Sequence, residues 1–329
     1  MTTVTEVNIP YFASLGMFII DEIDLQGLHL NDVPGGAGTF AICGSRMILG
    51  AEESNRCVWF VDIGNDCPSE VLMELNSWNT GGIFRYDSTR RCTRGWNGYG
   101  PNELRTFKYL TPKKQIVASD LSSSPLMLQS KSIHLICSPE RCAEVLDEIN
   151  ATAIKSGLKP NAVIAWEPVP EFCNSKNLDE TLYVLSKIDI FTPNSAECAS
   201  YFDFPEPTDC EGCEFIARRF VEHLTKPQSA VVLRCGRMGC LLMKSTNEPP
   251  IWFPAYHSND QNEVIDPTGC GNTFVGAFAT IASGACIEQH GPPSLTVSKE
   301  GDDLWNGLKF NDRLKRYIDR FSNMKKYMQ

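Results

Sequence analysis

The feature that most constrains the fold is an alternation between short runs of β-branched and aromatic residues and longer amphipathic segments. The segment 132–138 (SIHLICS) has the pattern of a buried strand, 139–157 that of a helix, and 162–168 (AVIAWEP) that of a strand again. We take 12–20 (FASLGMFII) as the first strand of the series. Strands joined by crossover helices predict an α/β protein with a mainly parallel central sheet and helices on both faces. Ligands of such sheets bind beyond the carboxyl ends of the strands.

The composition limits the class of partner. The chain has 329 residues, 42% of them hydrophobic, and a formal net charge of −10. An acidic chain is a poor partner for nucleic acid or an anionic membrane, because both reward basic surfaces. The N-terminus lacks the pattern of a signal peptide, and no apolar run is long enough to cross a bilayer. Fourteen cysteines without secretory features indicate reduced thiols, so we expect a cytoplasmic protein.

Two stretches depart from the strand–helix alternation. The turn-rich segment 80–110, together with 24–34, predicts a small β lid over the crevice. After residue 295 the chain becomes polar and ends in a basic helix, so we divide it into a main domain, 10–295, and a tail, 296–329. The tail helix either packs on the surface with a solvated basic face or contacts a partner such as RNA.

The segment 265–278 (IDPTGCGNTFVGAF) has the pattern of an anion site at the start of a helix. Gly269 and Gly271 permit close approach of the backbone to an anion, and the helix predicted after them, NTFVGAFATIASGA, directs its free N–H groups toward the same place. Such a site suits charge that develops on a transferring phosphoryl group, although a purely structural turn has the same pattern. Cys270 is either a small residue filling this turn or a thiol whose pKa the helix N-terminus lowers.

Two further segments are compatible with a phosphate ligand. Asn194 and Glu197 begin a helix after a strand, where a carboxamide and a carboxylate one turn apart can hold hydrated Mg²⁺. A capping box has the same spacing. Gly236 and Gly239 lie between two strands, where backbone N–H groups can meet a nucleotide or where an ordinary hairpin turns.

The order of these segments carries more information than any one of them. Asp21 follows GMFII, Gly35 and Gly36 begin a glycine-rich turn with neither P-loop nor Rossmann spacing, and TPNSAE, RCGRMG and DPTGCGN follow in that order. This ordered set resembles the pfkB (ribokinase-like) family of sugar and nucleoside kinases over roughly residues 10–295. The strings RGWNGYGPNELRTFKYLTPK, IAWEPVP and DPTGCGNTF are similar to the fungal maintenance-of-killer branch of that family.

The resemblance implies a ribokinase-like three-layer sandwich with a small β lid. It also implies a protein that uses ATP and Mg²⁺ to phosphorylate a hydroxyl group of a small metabolite, a sugar or a nucleoside. The roles it implies are acceptor binding by Asp21, Gly35 and Gly36; Mg²⁺ binding through water by Asn194 and Glu197; nucleotide contact by Gly236 and Gly239; and an anion hole formed by Gly269, Cys270 and Gly271.

The sequence departs from the family pattern at four places. Asn272 stands where the family has its catalytic base, and an amide cannot accept a proton near neutral pH. Phe40 stands where sugar-binding members have Asn, which implies a more apolar acceptor pocket. Arg234 stands where the nucleotide-site strand has Thr, and it is expected either to meet a phosphate or to point outward. Between Phe278 and Ala285 the chain is shorter than the family pattern, at a helix and loop that wall the adenine pocket.

Two main hypotheses follow. General-base help is worth about 10²–10⁴ in rate, whereas positioning and electrostatics dominate phosphoryl transfer. The first hypothesis is therefore a slow ATP-dependent kinase. The second is a catalytically inactive pseudokinase that binds a nucleotide or a protein partner in viral-particle or double-stranded RNA maintenance; a second copy of the chain is a further candidate partner. A redox or zinc function of the cysteines is a third alternative.

Overall fold

The computed structural model describes residues 9–25, 27–99, 105–159, 161–244, 247–258, 261–278 and 280–321. Within these residues the main feature is a nine-stranded sheet. The strands from β11 to β5 run parallel, and β12 and β13 extend one edge by antiparallel pairing. In spatial order they are β13 (Ile251–Phe253), β12 (Cys240–Met243), β11 (Ala230–Arg234), β10 (Ile190–Phe191), β9 (Val163–Pro168), β8 (Ser132–Cys137), β1 (Phe12–Ser14), β4 (Cys57–Gly64) and β5 (Gly81–Asp87).

Helices cover both faces of this sheet because its side chains alternate in direction. In β4, Val58 and Phe60 belong to one apolar core, whereas Trp59 and Val61 belong to another on the opposite face. The result is the predicted three-layer sandwich. The first face is covered by α3 (Ala118–Ser122), α4 (Pro125–Leu128), α5 (Pro139–Lys155), α6 (Leu178–Leu185), α7 (Ser195–Ser200) and α8 (Cys210–Val221), and the second by α1 (Ala37–Leu49), α2 (Ser69–Ser77) and α10 (Thr280–Ile287).

A second sheet of four strands forms the lid. Its order is β3 (Leu28–Gly35), β2 (Ile19–Leu25), β6 (Arg94–Tyr99) and β7 (Arg105–Tyr109). This corrects two sequence predictions. The segment 12–20 is not one strand, because β1 ends at Ser14 and β2 belongs to the lid. Of the segment 80–110, the first part forms β5 at the edge of the main sheet, and only the later part joins the lid.

The helix predicted after the Gly-x-Gly turn is two helices. The first is α9 (Cys270–Ala277), and it ends at Phe278, whose φ of 44° is incompatible with continuing a right-handed helix. The second is α10, which begins at Thr280. A continuous apolar segment does not reveal this break, because both helices bury apolar residues.

The tail packs against the main domain. It contains the hairpin β14 (Leu295–Val297) and β15 (Asp303–Trp305), followed by α11 (Phe310–Phe321). Arg313 is 1% exposed and forms an ion pair with Glu288, while Tyr317 donates a hydrogen bond to the Pro254 carbonyl and Arg320 to that of Tyr256. Part of the basic character of this helix therefore serves packing. Its predicted extension, residues 322–329, lies outside the described residues.

The described residues include no helix with the length and apolar character needed to cross a bilayer. They also contain no group of three or more His, Cys, Asp or Glu side chains placed to hold a metal ion.

Candidate active site

A cavity of about 780 Å³ lies between the lid and the main sheet. Its floor is at the carboxyl ends of β8 and β9, where ligands of parallel sheets bind. Five of the predicted site residues line it, namely Asp21, Gly36, Phe40, Gly269 and Asn272. The fold therefore brings the predicted acceptor side and the predicted anion hole to one space.

Asp21 is a buried carboxylate in the lid, 3% exposed. It lies in β2 beside a register shift, between β3 and β6. Its carboxyl group rests against the Cα atoms of Gly35 and Gly95, where any side chain would collide with it. Gly36 follows as the N-cap of α1. The carboxylate and the Gly35–Gly36 turn thus form one corner of the cavity.

The turn before α9 has the geometry of an anion hole. Gly269 is left-handed, with φ of 77°, and acts as the N-cap of the helix. The N–H of Cys270 is bonded to the Pro267 carbonyl, and that of Thr273 to the Gly269 carbonyl. Between them, the N–H groups of Gly271 and Asn272 form no hydrogen bond within the described residues. Two adjacent donors at a helix N-terminus are thus available to an anion.

Phe40 covers this turn from the α1 side. The ring is 3% exposed and packs directly on Gly269, where a Cβ atom would collide with it. Cys270 lies in the same apolar cluster, together with Cys286. Burial, and then the Cys286 thiol beside it, raises the pKa of the Cys270 thiol well above its usual range. Of the two interpretations of Cys270, the structure favours a small residue that fills the turn.

Asn272 is held by a carboxylate that the sequence did not single out. Its Nδ2 donates to Oε2 of Glu167 at 2.8 Å, and Glu167, at the end of β9, is 4% exposed. Because Glu167 accepts, the nitrogen of the amide is the atom that faces it. The carbonyl oxygen of Asn272 is left as the group that can orient a ligand hydroxyl.

Glu167 is the centre of a buried polar network. Nε2 of His134 lies 3.3 Å from Oε2, Nδ1 of the same ring lies 3.1 Å from the Ser14 hydroxyl, and Arg234 approaches Oε1 at 2.9 Å. Burial raises the pKa of Glu167, but Arg234, His134 and Asn272 together outweigh it, and the pKa is lowered. Glu167 therefore stays ionised at neutral pH, and it is a weak proton acceptor.

Asn194 and Glu197 form the capping box that their spacing also allowed. The N–H of Glu197 is bonded to Oδ1 of Asn194 at 2.7 Å, and the N–H of Asn194 to Oε2 of Glu197 at 2.8 Å. The same Oε2 lies 3.3 Å from NH2 of Arg234. A divalent cation bound at these oxygens would lie beside a guanidinium group. These residues do not fit the Mg²⁺ site that the resemblance implies.

Arg234 points inward from the end of β11. Its NH2 contacts Glu167, Glu197 and the Thr192 carbonyl, the last at 3.1 Å. Its NH1 lies against Gly271, where a Cβ atom would collide with it. The structure excludes the outward position expected from the sequence, and contact of Arg234 with a phosphate stays a prediction.

Gly236 and Gly239 turn the chain between β11 and β12. Both are left-handed, and the second packs tightly on the backbone of Phe253. Neither lines the cavity. The space beside Gly236 is open, so contact with a nucleotide along this turn stays a prediction.

The fold is shared with solved kinases. The ribokinase of Giardia lamblia superposes with a TM-score of 0.65 at 14% identity, over 86% of this chain and 96% of that one. An adenosine kinase of Anopheles gambiae gives 0.64 at 16%, over 85% and 96%. A ribokinase of Arabidopsis thaliana, complexed with ribose and ATP, gives 0.61 at 15%, over 94% and 98%. At these identities the likeness concerns the fold, and it defines a ribokinase-like scaffold.

Two sequence relatives narrow this class, although no family model matches the chain. The chain is 36% identical over 336 residues to Protein MAK32 of Saccharomyces cerevisiae, covering 93% of this chain and 91% of that protein. It is also 36% identical over 343 residues to an uncharacterized protein of Schizosaccharomyces pombe, covering 94% and 92%. The chain belongs to the maintenance-of-killer branch of the pfkB (ribokinase-like) family.

Proposed function

We propose that the protein binds ATP and transfers its terminal phosphoryl group slowly to a hydroxyl of a small metabolite. One observation carries the proposal: a buried carboxylate, Asp21, and the start of α9, which carries the two unused N–H groups, border the same cavity. The carboxylate can hold acceptor hydroxyls, and the N–H groups can hold the phosphoryl group. Solved neighbours with this fold include a ribokinase complexed with ribose and ATP, which supports a sugar or nucleoside as the acceptor.

The low rate follows from position 272. The transfer forms a bond between the acceptor oxygen and phosphorus, breaks the bond to the leaving ADP, and releases the hydroxyl proton. Asn272 can orient the hydroxyl through its carbonyl oxygen but cannot take the proton. Glu167 does not replace the missing base, because its lowered pKa makes it a poor acceptor. The proton must then leave to water, at a cost of about 10²–10⁴ in rate.

The test compares binding and turnover. ATP binding is measured by calorimetry, and phosphoryl transfer across a panel of sugars and nucleosides, for wild type, Asn272→Asp and the double variant Asn272→Asp/Glu167→Gln. Asn311→Asp, an exposed position on α11, is the matched control. We expect weak wild-type turnover and a gain of about 10²-fold or more in the double variant. A wild type as fast as the double variant would contradict the role given to Asn272, and absence of ATP binding would overturn the proposal.

The second candidate is a pseudokinase, and one observation favours it. The groups that catalysis would use are bonded to one another: Asn272 to Glu167, and Glu197 to Arg234. A site arranged in this way can hold a ligand without reacting with it, for a partner-binding role in viral-particle or double-stranded RNA maintenance. ATP binding without turnover, in the wild type and in both variants, would support this function over the first.

A further inference from the structure

The guanidinium group of Arg234 lies at the N-terminus of α9. NH2 is saturated by Glu167, Glu197 and the Thr192 carbonyl. NH1 and Nε form no hydrogen bond within the described residues, and Nε is buried. NH1 is in contact with Gly271, whose N–H is likewise unused. A fixed cation with unused donors therefore stands beside two free backbone N–H groups.

The contacts of Glu197 indicate that the guanidinium takes the place of a metal cation. The resemblance implies that this carboxylate organises Mg²⁺ through water, yet here its Oε2 faces Arg234 and the Asn194 N–H. Burial raises the pKa of Glu197, and Arg234, which is closer to Glu167, offsets this only in part. A divalent ion at this place would meet the guanidinium at short range and would find a carboxylate that is already engaged.

The absence of a side chain at Gly271 is what admits the guanidinium. The second glycine of a Gly-x-Gly turn usually gives an anion access to the backbone. Here any side chain at 271 would also collide with NH1 of Arg234. The arginine and the glycine therefore fit each other, and the guanidinium is held against the turn that forms the anion hole.

We propose that Arg234 replaces Mg²⁺ in this protein, so that the phosphates of a nucleoside triphosphate bind without a metal ion. The inference rests on the proposed nucleotide site and specifies its chemistry. In bound ATP, the unused NH1 would donate to phosphate oxygens and supply the positive charge that a metal ion would supply. Planar, permanently charged donors are suited to phosphate oxygens.

The experiment is calorimetric titration with ATP, and separately with inorganic tripolyphosphate, in EDTA and in excess Mg²⁺. For the wild type we expect binding of both ligands in EDTA, with no gain in affinity when Mg²⁺ is added. Affinity that rises tenfold or more with Mg²⁺ would overturn the inference and leave nucleotide binding intact. Tripolyphosphate binding in EDTA without ATP binding would support a metal-free phosphate site at Arg234 but would defeat both the proposed function and the nucleotide as its ligand. Binding of neither ligand would defeat both.

Variants test the residue itself. Arg234→Thr leaves the buried Glu167 without its cation, so Arg234→Thr/Glu167→Gln removes the guanidinium together with the charge of its nearer carboxylate, while Glu197 keeps the N–H of Asn194. We expect the double variant to bind ATP about tenfold to one-hundredfold more weakly in EDTA, and to recover affinity with Mg²⁺ because Glu197 is released. Arg218→Thr, a half-buried position on α8 that does not line the cavity, is the matched control. Double-variant binding in EDTA as tight as wild type would refute the inference.

Discussion

Asn272→Asp should not by itself produce a normal kinase site, because the neighbour of position 272 is a carboxylate. In the wild type, the amide donates to Glu167 over 2.8 Å. The aspartate that replaces it is isosteric, so it places a second carboxylate at the same distance from the first. The variant therefore loses a donor to a charged acceptor and gains a like-charge contact in a buried site.

The size of the effect follows from that distance. Two unit charges 2.8 Å apart repel by about 6 kcal/mol at an effective dielectric constant of about 20. The pair avoids most of this by sharing a proton, which raises the pKa of one carboxyl group by several units. Lost hydrogen bonding to a charged group adds about 1.5–3 kcal/mol. Because Arg234 compensates part of the charge, we expect a net loss of about 2–4 kcal/mol in the free energy of unfolding at pH 8.

The pH dependence of the unfolding free energy tests whether like-charge repulsion causes the deficit of Asn272→Asp. A carboxyl group whose pKa is raised on folding leaves stability intact below its unfolded pKa and lowers it as pH rises through the folded value. Urea denaturation from pH 5 to 8 should therefore show the deficit of Asn272→Asp growing with pH. In Asn272→Asp/Glu167→Gln the glutamine amide can donate to the new aspartate, so the pH-dependent part should vanish. A deficit that is the same at pH 5 and pH 8 would refute the like-charge argument.

Three further substitutions test the site and the tail. Phe40→Asn should shift acceptor affinity toward polyhydroxylated compounds in the sugar and nucleoside panel, while lost packing lowers the unfolding free energy by about 3–5 kcal/mol; an unchanged preference would argue against an apolar acceptor wall. Gly271→Ala should displace the guanidinium of Arg234 and weaken ATP binding about tenfold or more in calorimetry, unlike a substitution in a merely structural turn. Arg313→Met should cost about 1.5–3 kcal/mol in urea denaturation at pH 7, the range for hydrogen bonds to a charged group. It takes the guanidinium from Glu288, which keeps His257 and Asn306 as partners. Neighbouring donors lower the pKa of Glu288 to about 2 despite burial, so the deficit should shrink as pH falls below 4.5.

The fold could be predicted from the sequence because the alternation of strands and helices is local and repeated along the chain. Each crossover helix follows an apolar strand, as in β8 and α5, and this order alone predicts a parallel sheet. The boundary between the main sheet and the lid could not be predicted from the sequence. Residues 12–20 are mostly apolar, and both β1 and the start of β2 are buried, so hydrophobicity does not show that the chain changes sheets between Ser14 and Ile19.

The site was predictable to the extent that it depends on backbone. The turn at Gly269 and the helix after it are contiguous in the chain, so the glycine pattern that forms them can be recognised in the sequence. Side chains that meet across the sheet leave no such pattern. Glu167 and His134 come from neighbouring strands and meet Asn272 from α9. The one available signal was a charged residue at the end of an apolar strand, in IAWEP, where burial without a partner is costly.

The three unusual side chains of the site are physically coupled. Glu167 is buried and ionised, so it needs donors around it, and both Asn272 and Arg234 supply them. An aspartate at 272 would repel this carboxylate, and a threonine at 234 would leave it without a cation. The loss of the base and the gain of the guanidinium therefore stabilise the same group. No single substitution can return this site to the family pattern, because each of the two positions is held in place by the charge on Glu167.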